Sequence, residues 1–373
     1  MIRKFTTALH ITIILLASLL WGQQASASDD YVMACTFEQS REYRVYSVSS
    51  DGGIFFTSKQ SIATSPYKIT FAPNGKWGMI GCRTSSIPES QYSVLLRVDK
   101  QSNVHLWDYL FNEYHVGYSD SVTIDQNSSI GVYGINMNTI KILNNNQYTI
   151  NYNNTPVDNY DFLSSMKIIA RSGLIGYSIL SEYTIREDGT TTPTGVTVDI
   201  APSSGNAGIC VSPDGKTAIV ISGVGADVTV IRVNGDGDFS IVQQFGYQGD
   251  NHGPSAVHFS QNSSLVAIRY VNFISIYAVS YDSRLTEISR ASIPYPGSGH
   301  KMGVTHDFRI AVATYRVWVN GIPSTFFYVF RIHENGMIEY LPGKDYVCLG
   351  LSSDIAFVPP QVTDAEPAWD MYE

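Results

Sequence analysis

The sequence predicts an all-β protein: a seven-bladed β-propeller of four-stranded blades. Its ring is closed by N-terminal strands that pair with a C-terminal inner strand. Three observations predict this fold: a repeated strand-turn-strand pattern, three N-terminal strands that lack an inner strand, and a C-terminal inner strand with no further strands after it. We assign residues 1–27 to a signal peptide, 28–360 to the propeller and 361–373 to a polar C-terminal tail.

The repeated unit is a short apolar strand, a polar turn and a second apolar strand. In its clearest copy, Ile209–Val220, a Pro-Asp-Gly turn supplies the positive backbone angle of a tight hairpin. We place the seven turns 42 to 53 residues apart, at Pro73, Gln126, Arg171, Pro213, Gln261, His306 and Pro359. Further strands lie between the turns, as at Val228–Val233 and Phe239–Val242. Units of this length with about four strands are typical of propeller blades.

The two ends of the chain predict how the ring closes. Three strands, Tyr31–Phe37, Glu42–Val48 and Gly53–Ser58, have no inner strand before them, and the inner strand Ser353–Phe357 has none after it. Joined, they complete a seventh blade and remove the exposed sheet edges of an open array.

The first 27 residues have the three parts of a secretory signal: Arg3 and Lys4, an apolar stretch over Ala8–Gly22, and the small residues Ala25–Ala27. The apolar stretch is shorter than the ~20 residues of a membrane-spanning helix. We therefore predict cleavage after Ala27, a mature chain without a membrane span, and a secreted or periplasmic location.

Composition restricts the class of partner. The chain has 24 basic and 33 acidic residues, a formal charge of -9, and no long basic run that would offset it. This charge argues against a nucleic-acid partner. An unknown protein or a small polar ligand is the expected partner.

The four cysteines, Cys35, Cys82, Cys210 and Cys348, lie too far apart in sequence for a zinc motif, and we expect neither a metal nor a cofactor. An exported chain can form disulfides. The closure scheme places Cys35 and Cys348 toward the same end of the seventh blade, which predicts a disulfide between them. A Cys35–Cys82 bridge and four free thiols remain open alternatives.

The loops that lead into the inner strands, and the ends of the second strands, are expected to meet at one mouth of the central channel. They carry groups that could hold a carboxylate or a sugar-like ligand. The predicted ligand-binding residues are Tyr67, Arg83, Asp120, Asn206, His252, Arg269, His300 and Asp354. The alternative is that these polar residues only cap strand ends.

Among the histidines, His252 and His300 are the best candidates for acid or base chemistry because both lie beside glycines in such loops. His258 and His306 lie within the repeat itself and are interpreted as structural.

The segments Val211–Val220 and Gly253–Val257 resemble the repeat of the lactonase-like, YVTN-type β-propeller superfamily. The resemblance implies the propeller fold over most of the mature chain, and it makes hydrolysis of a sugar lactone a candidate activity. No catalytic motif of that superfamily can be matched residue by residue here.

Three classes of function follow: an exported binding propeller without catalysis, a lactonase-like hydrolase, and a structural envelope protein. The arrangement of charged side chains distinguishes these classes. A ligand site needs charged groups that meet in one funnel, whereas a scaffold can keep its exposed aromatic residues on the blade rims.

Overall fold

The computed structural model describes residues 30–83, 91–112, 122–134, 136–143, 147–153, 155, 157, 159–172, 178–200, 208–222, 227–234, 238–246, 253–294 and 301–361. The predicted signal peptide and the tail from residue 362 lie outside these ranges. The regular secondary structure of the described ranges consists of β-strands alone. Accordingly, the described part of the chain has no helix with the length and hydropathy needed to cross a membrane.

The strands form seven antiparallel sheets, numbered here as blades 1 to 7. The first three strands belong to blade 7: β1 (Tyr31–Phe37), β2 (Glu42–Val48) and β3 (Ile54–Ser61). Blade 1 contains β4 (Ser65–Phe71), β5 (Trp77–Arg83), β6 (Gln91–Val98) and β7 (Val104–Asn112). Blade 2 contains β8 (Val122–Ile124), β9 (Ile130–Tyr133), β10 (Asn138–Ile142) and β11 (Tyr148–Asn151). Blade 3 contains β12 (Asn159–Ser164), β13 (Lys167–Ser172), β14 (Ser178–Ile185) and β15 (Thr191–Ile200).

The remaining blades follow in chain order. Blade 4 contains β16 (Gly208–Val211), β17 (Thr217–Ile221), β18 (Asp227–Val233) and β19 (Phe239–Gly246). Blade 5 contains β20 (Ala256–Phe259), β21 (Leu265–Arg269), β22 (Phe273–Val279) and β23 (Leu285–Ser292). Blade 6 contains β24 (Met302–Val304), β25 (Ile310–Val319), β26 (Ile322–Ile332), β27 (Ile338–Tyr340) and β28 (Tyr346–Leu349). The last strand, β29 (Ser352–Val358), is the inner strand of blade 7, so the predicted seven-bladed propeller is confirmed.

Blade 7 is closed as the sequence predicts. Strand β29 pairs antiparallel with β1, with Val358 opposite Val32 and Ile355 opposite Cys35. The neighbouring hairpin of blade 1 packs against the end of β29. A Cβ atom on Gly75, which has a φ of 67°, would lie 2.1 Å from the carbonyl oxygen of Pro359, so only glycine fits at this position.

One turn was predicted at the wrong place. The sequence pattern puts the turn of the third unit at Arg171, but Arg171 lies within the continuous second strand β13, and the hairpin of blade 3 is formed by Ser165 and Met166. This hairpin has no glycine, proline, asparagine or aspartate, and each of the other copies has at least one of these residues at its turn.

Blade 6 departs from a simple four-stranded sheet because its outermost strand is interrupted. Strands β27 and β28 pair with different parts of β26 and are separated by residues 341–345. Together they occupy the fourth position of the sheet, so the predicted four-stranded plan of the blade is retained.

The core consists of apolar clusters between neighbouring blades. In the described residues one such cluster lies at each of the seven blade-to-blade contacts. Between blades 6 and 7, for example, Val312 and Phe327 pack against Met33 and Tyr46, all buried. Because each blade packs on both faces, only the inner edges of the sheets are left to line the central channel.

Candidate functional site

The inner strands surround a cavity of about 630 Å³ along the propeller axis, called the channel here. Its upper mouth is the end at which the inner strands begin, and the hairpins after these strands form the opposite, lower face. All seven inner strands contribute to its lining. The polar residues of the lining include Tyr67, Lys68, Thr70, Thr123, Asn159, Asp161, Cys210, His258, Lys301, Arg316 and Asp354.

Deep in the channel, side chains of one inner strand bond to the next blade. The carboxylate of Asp161 in β12 accepts hydrogen bonds from the Thr123 hydroxyl of blade 2 at 2.7 Å and from the Val211 amide of blade 4 at 2.8 Å. It also accepts one from the Phe162 amide at 2.9 Å. Asp161 therefore ties three blades together.

His258 makes the corresponding link between blades 5 and 6. Its Nε2 lies 2.7 Å from the carbonyl oxygen of Met302. Since a carbonyl can only accept, Nε2 carries the proton, which leaves Nδ1 as the acceptor of a neutral ring. Burial lowers the pKa of His258 and Lys68 lowers it further, whereas the hydrogen bond to Met302 and the nearby Asp354 oppose this shift.

Burial shifts the pKa values of both deep groups, His258 and Asp161, in the direction of their uncharged forms. Burial raises the pKa of Asp161, although its three hydrogen bonds and nearby Lys68 act in the other direction. The Lys68 side chain is close enough to influence Asp161, His258 and Cys210. It is the cationic group that these three channel residues share.

At the upper mouth, groups from blades 1, 6 and 7 come together. The Lys301 ammonium lies 5.5 Å from the centre of the Tyr67 ring. The Nε of Arg316 donates to the Ser352 carbonyl oxygen. Burial lowers the pKa of its guanidinium, and nearby Glu38, Tyr67 and Asp354 act in the opposite direction. This set of residues can hold an anion together with hydroxyl groups.

Asp354 is partly occupied by the ring closure itself. Its Oδ2 accepts a hydrogen bond from the Ile69 amide of blade 1 at 3.0 Å. The carboxylate therefore joins blade 7 to blade 1 and also lines the channel beside the cationic groups.

The predicted binding residues have different outcomes. Tyr67 and Asp354 both lie in the channel lining. Asp120, Asn206, His252 and His300 lie outside the described residues, and only the backbone of Arg83 is described.

Arg269 is not exposed at the mouth, contrary to the expected arrangement. It is 1% exposed, and its Nη1 donates to the Lys301 carbonyl oxygen. Burial lowers the pKa of Arg269 to about 9, which still leaves it charged at neutral pH. The residue holds the segment before β24 in place from inside the protein.

Sequence reasoning missed the deep channel residues Asp161 and His258. A signal for His258 does exist: it precedes the turn residue Ser260 by two positions, as Cys210 precedes Ser212, so these side chains share one level of the ring. For Asp161 the signal was hidden because the turn of blade 3 was misplaced.

The cysteines of the disulfide prediction lie in one cluster. Cys35 and Cys348 are both buried in the apolar cluster between blades 6 and 7, and each is a free thiol in this structure. Cys82 lies in the cluster on the other face of blade 7 with Ala34, so β1 separates it from Cys35. The disulfide itself stays a prediction.

Other parts of the described chain offer less chemistry. No three His, Cys, Asp or Glu side chains among the described residues converge in a way that could hold a metal ion. A groove of about 1690 Å³ on the lower face carries both signs of charge. There, Arg309 is already paired with Glu334 at 2.9 Å and with Asp307 at 3.8 Å, so it is not available to a ligand as a free cation.

Comparison with known proteins finds a similarity to the lactonase-type propellers over part of the chain. Residues 176–296 match the family described as Lactonase, 7-bladed beta-propeller. No curated protein matches the sequence.

Three solved structures are similar over almost the whole propeller. A candidate 6-phosphogluconolactonase from Bacteroides uniformis has 15% sequence identity and a TM-score of 0.72, with 89% of this chain and 100% of that chain covered. The periplasmic gluconolactonase of Pseudomonas aeruginosa has 14% identity and a TM-score of 0.68, with 89% and 99% covered. A candidate 6-phosphogluconolactonase from Bacteroides fragilis has 14% identity and a TM-score of 0.66, with 90% and 100% covered. The chain therefore has the lactonase-like seven-bladed propeller fold.

Proposed function

We propose that this chain is an exported propeller that binds a small anionic sugar derivative at the upper mouth of its channel. The observation that carries the proposal is the meeting of Lys68, Lys301 and Arg316 in one cavity, in a chain with a net charge of -9. Cationic groups that converge against the overall charge of a protein favour an anionic ligand.

The comparisons support this class of ligand. Hydrolysis of a sugar lactone yields a sugar acid, and the names of similar structures include a gluconolactonase and candidate 6-phosphogluconolactonases. At 15% identity or less, they support the choice of compounds to test and no specific residue role.

A direct binding experiment tests the proposal. Calorimetric titration of the chain starting at Ser28 with 6-phosphogluconate, gluconate, glucose 6-phosphate and inorganic phosphate should detect binding of at least one sugar anion. The double variant Lys68→Gln, Arg316→Gln should weaken it at least about tenfold, since each charge-assisted hydrogen bond contributes ~1.5 to 3 kcal/mol.

Lys216→Gln is the matched control. Its side chain is 75% exposed in the hairpin after β16, on the lower face, so its loss should leave the affinity unchanged. Absence of binding to all four compounds would reject the proposal, as would equal weakening by the control variant.

Lactone hydrolysis is a second candidate function, favoured by the neutral ring of His258 with its Nδ1 available as an acceptor. Such a ring could accept a proton from water while the nearby cations polarise the lactone carbonyl. Loss of gluconolactone can be followed by proton release in a pH-stat. A rate above the spontaneous one that falls about a hundredfold in His258→Gln would support hydrolysis. Tight binding of a sugar anion without any increase in the rate of lactone hydrolysis would reject the hydrolase function and retain the binding function.

Export is part of the proposal. The mass of the protein recovered from the host's extracellular or periplasmic fraction should correspond to a chain that begins at Ser28. A mass that includes residues 1–27 would contradict cleavage.

A further inference from the structure

The hairpin formed by β25 and β26 extends past the upper mouth of the channel. The short inner strand β24 pairs with β25 only as far as Met302 opposite Ala313. The two longer strands continue to pair up to Val319 opposite Ile322, and Asn320 and Gly321, both with positive φ, form the two-residue turn. The hairpin therefore rises ~20 Å beyond the paired part of β24, at about 3.3 Å per residue.

One face of this hairpin continues the binding mouth upward. Side chains two residues apart on a strand share a face, so Val312, Arg316 and Trp318 all lie on the face turned toward blade 7. The cluster between blades 6 and 7 contains Val312, and Arg316 bonds to Ser352 of blade 7. Trp318 follows Arg316 on this face, ~6.6 Å farther from the channel.

Trp318 is 61% exposed, an unusual state for the largest apolar side chain. Its cross-strand neighbour is Pro323, which is only partly buried. The indole thus lies on the same face of the hairpin as Arg316, one of the cationic residues of the mouth, and farther from the channel. An exposed aromatic ring next to convergent polar groups is the usual composition of a site for a small amphipathic ligand.

We propose that Trp318 is the platform on which a sugar ring of the ligand stacks, while the anionic group of that ligand reaches down to Arg316 and the channel lysines. The apolar C–H face of a pyranose can cover the indole, and the distance between Trp318 and Arg316 is one that a hexose ring with an exocyclic phosphate or carboxylate can span. This inference rests on the proposed function and narrows its ligand to a ring-closed sugar anion.

The opposite face of the hairpin provides the control. Ile322 is 51% exposed and lies on the same hairpin, but its side chain is on the face turned toward blade 5. If the hairpin were only a non-specific apolar surface, Ile322 and Trp318 would contribute equally to the binding of any partner.

The experiment compares a ring-closed sugar phosphate with ring-free anions. Calorimetric titrations use glucose 6-phosphate, open-chain 6-phosphogluconate and inorganic phosphate against the mature chain and three variants: Trp318→Ala, Trp318→Phe and Ile322→Ala. Trp318→Ala should lower the affinity for glucose 6-phosphate about tenfold and change the affinity for inorganic phosphate less than about twofold. Trp318→Phe should restore most of the loss, and Ile322→Ala should have no effect.

Tryptophan fluorescence provides an independent measure. Glucose 6-phosphate should change the emission of the wild-type chain and not that of Trp318→Phe. Three results would overturn the proposal that Trp318 is a platform. They are an equal loss of affinity for all three compounds in Trp318→Ala, no loss of affinity in that variant, and an equal loss in Ile322→Ala. If Lys68→Gln, Arg316→Gln abolishes binding while Trp318→Ala does not, the anion site stands and the platform fails. If the wild-type chain binds none of the compounds, the proposed function fails and the platform with it.

Discussion

The Nε2 of His258 in blade 5 lies 2.7 Å from the carbonyl oxygen of Met302 in blade 6. This bond connects adjacent inner strands within the channel, as Asp161 does between blades 3 and 4. Polar residues of the channel therefore have two roles: they link neighbouring blades by hydrogen bonds, and they supply the polar groups that line the channel.

The His258 link predicts a pH dependence of stability. Burial holds the pKa of His258 in the folded chain below its ordinary value of about 6.5, so the unfolded chain takes up this proton first as the pH falls. The contribution is fully present above about pH 6.5 and is lost as the pH falls from there toward the folded-state pKa.

Urea unfolding of the wild type and His258→Gln, between about pH 7.5 and pH 5, measures this contribution. Gln retains a donor for Met302 but does not titrate, so the wild type should lose stability relative to the variant as the pH falls. The opposing contribution of Asp161 is present in both proteins and cancels. A difference between the two proteins that is constant with pH would contradict the prediction.

The two arginines near Lys301 should respond differently to truncation. Arg269 is buried and bonded to the Lys301 carbonyl, so Arg269→Ala should lower the free energy of unfolding by ~3 kcal/mol, through a cavity and the loss of one hydrogen bond to a carbonyl that keeps the Thr314 amide as a donor. Arg316→Ala, at the mouth, should cost about 1 kcal/mol or less and act mainly on ligand binding. Chemical denaturation of both variants decides, and the reverse order of stability losses would show that the mouth is misassigned.

Closure of the ring predicts that the chain ends depend on each other. Deletion of residues from 351 onward removes β29, its pairing with β1, and the bond from Ile69 to Asp354. The shortened chain should lose its cooperative melting transition because β1 becomes an open edge. Deletion after Gln361 is the control, since it keeps every described strand. Equal melting of the two shortened chains would be incompatible with closure by β29.

Cys35 and Cys348 are predicted to form a disulfide when the chain folds under oxidising conditions. Burial raises the pKa of the Cys348 thiol to about 11 and that of Cys35 well above its ordinary value. Folded, reduced protein should therefore react slowly at neutral pH, because the thiolate is the reactive form. Refolding with oxidised glutathione should produce the bond, two thiols losing two electrons and two protons to the glutathione disulfide.

Non-reducing peptide mapping identifies the bridge, and thermal melting measures its effect. Joining the chain ends should stabilise by several kcal/mol, at most ~5. Cys35→Ser should abolish the bridge, whereas Cys82→Ser, on the other face of blade 7, should not affect it. Alkylation of all four thiols after oxidative refolding would exclude it.

The sequence alone was sufficient for the architecture. Strand and turn propensities act over a few residues, so Pro-Asp-Gly at 213–215 and the unmatched strands at both ends predict the repeat and its closure. Where a copy lacks turn residues, as at Ser165 and Met166, the prediction of the turn failed.

The site was decided by tertiary structure. Lys68, Asp161 and His258 lie in blades 1, 3 and 5, and only closure of the ring brings them into one channel. Arg269 was expected at the mouth by its position at a strand end, but packing between blades buries it. Trp318 is exposed because its hairpin continues beyond the short strand β24. Local sequence determines which residues form strands, whereas the directions in which their side chains meet depend on contacts between residues far apart in the chain.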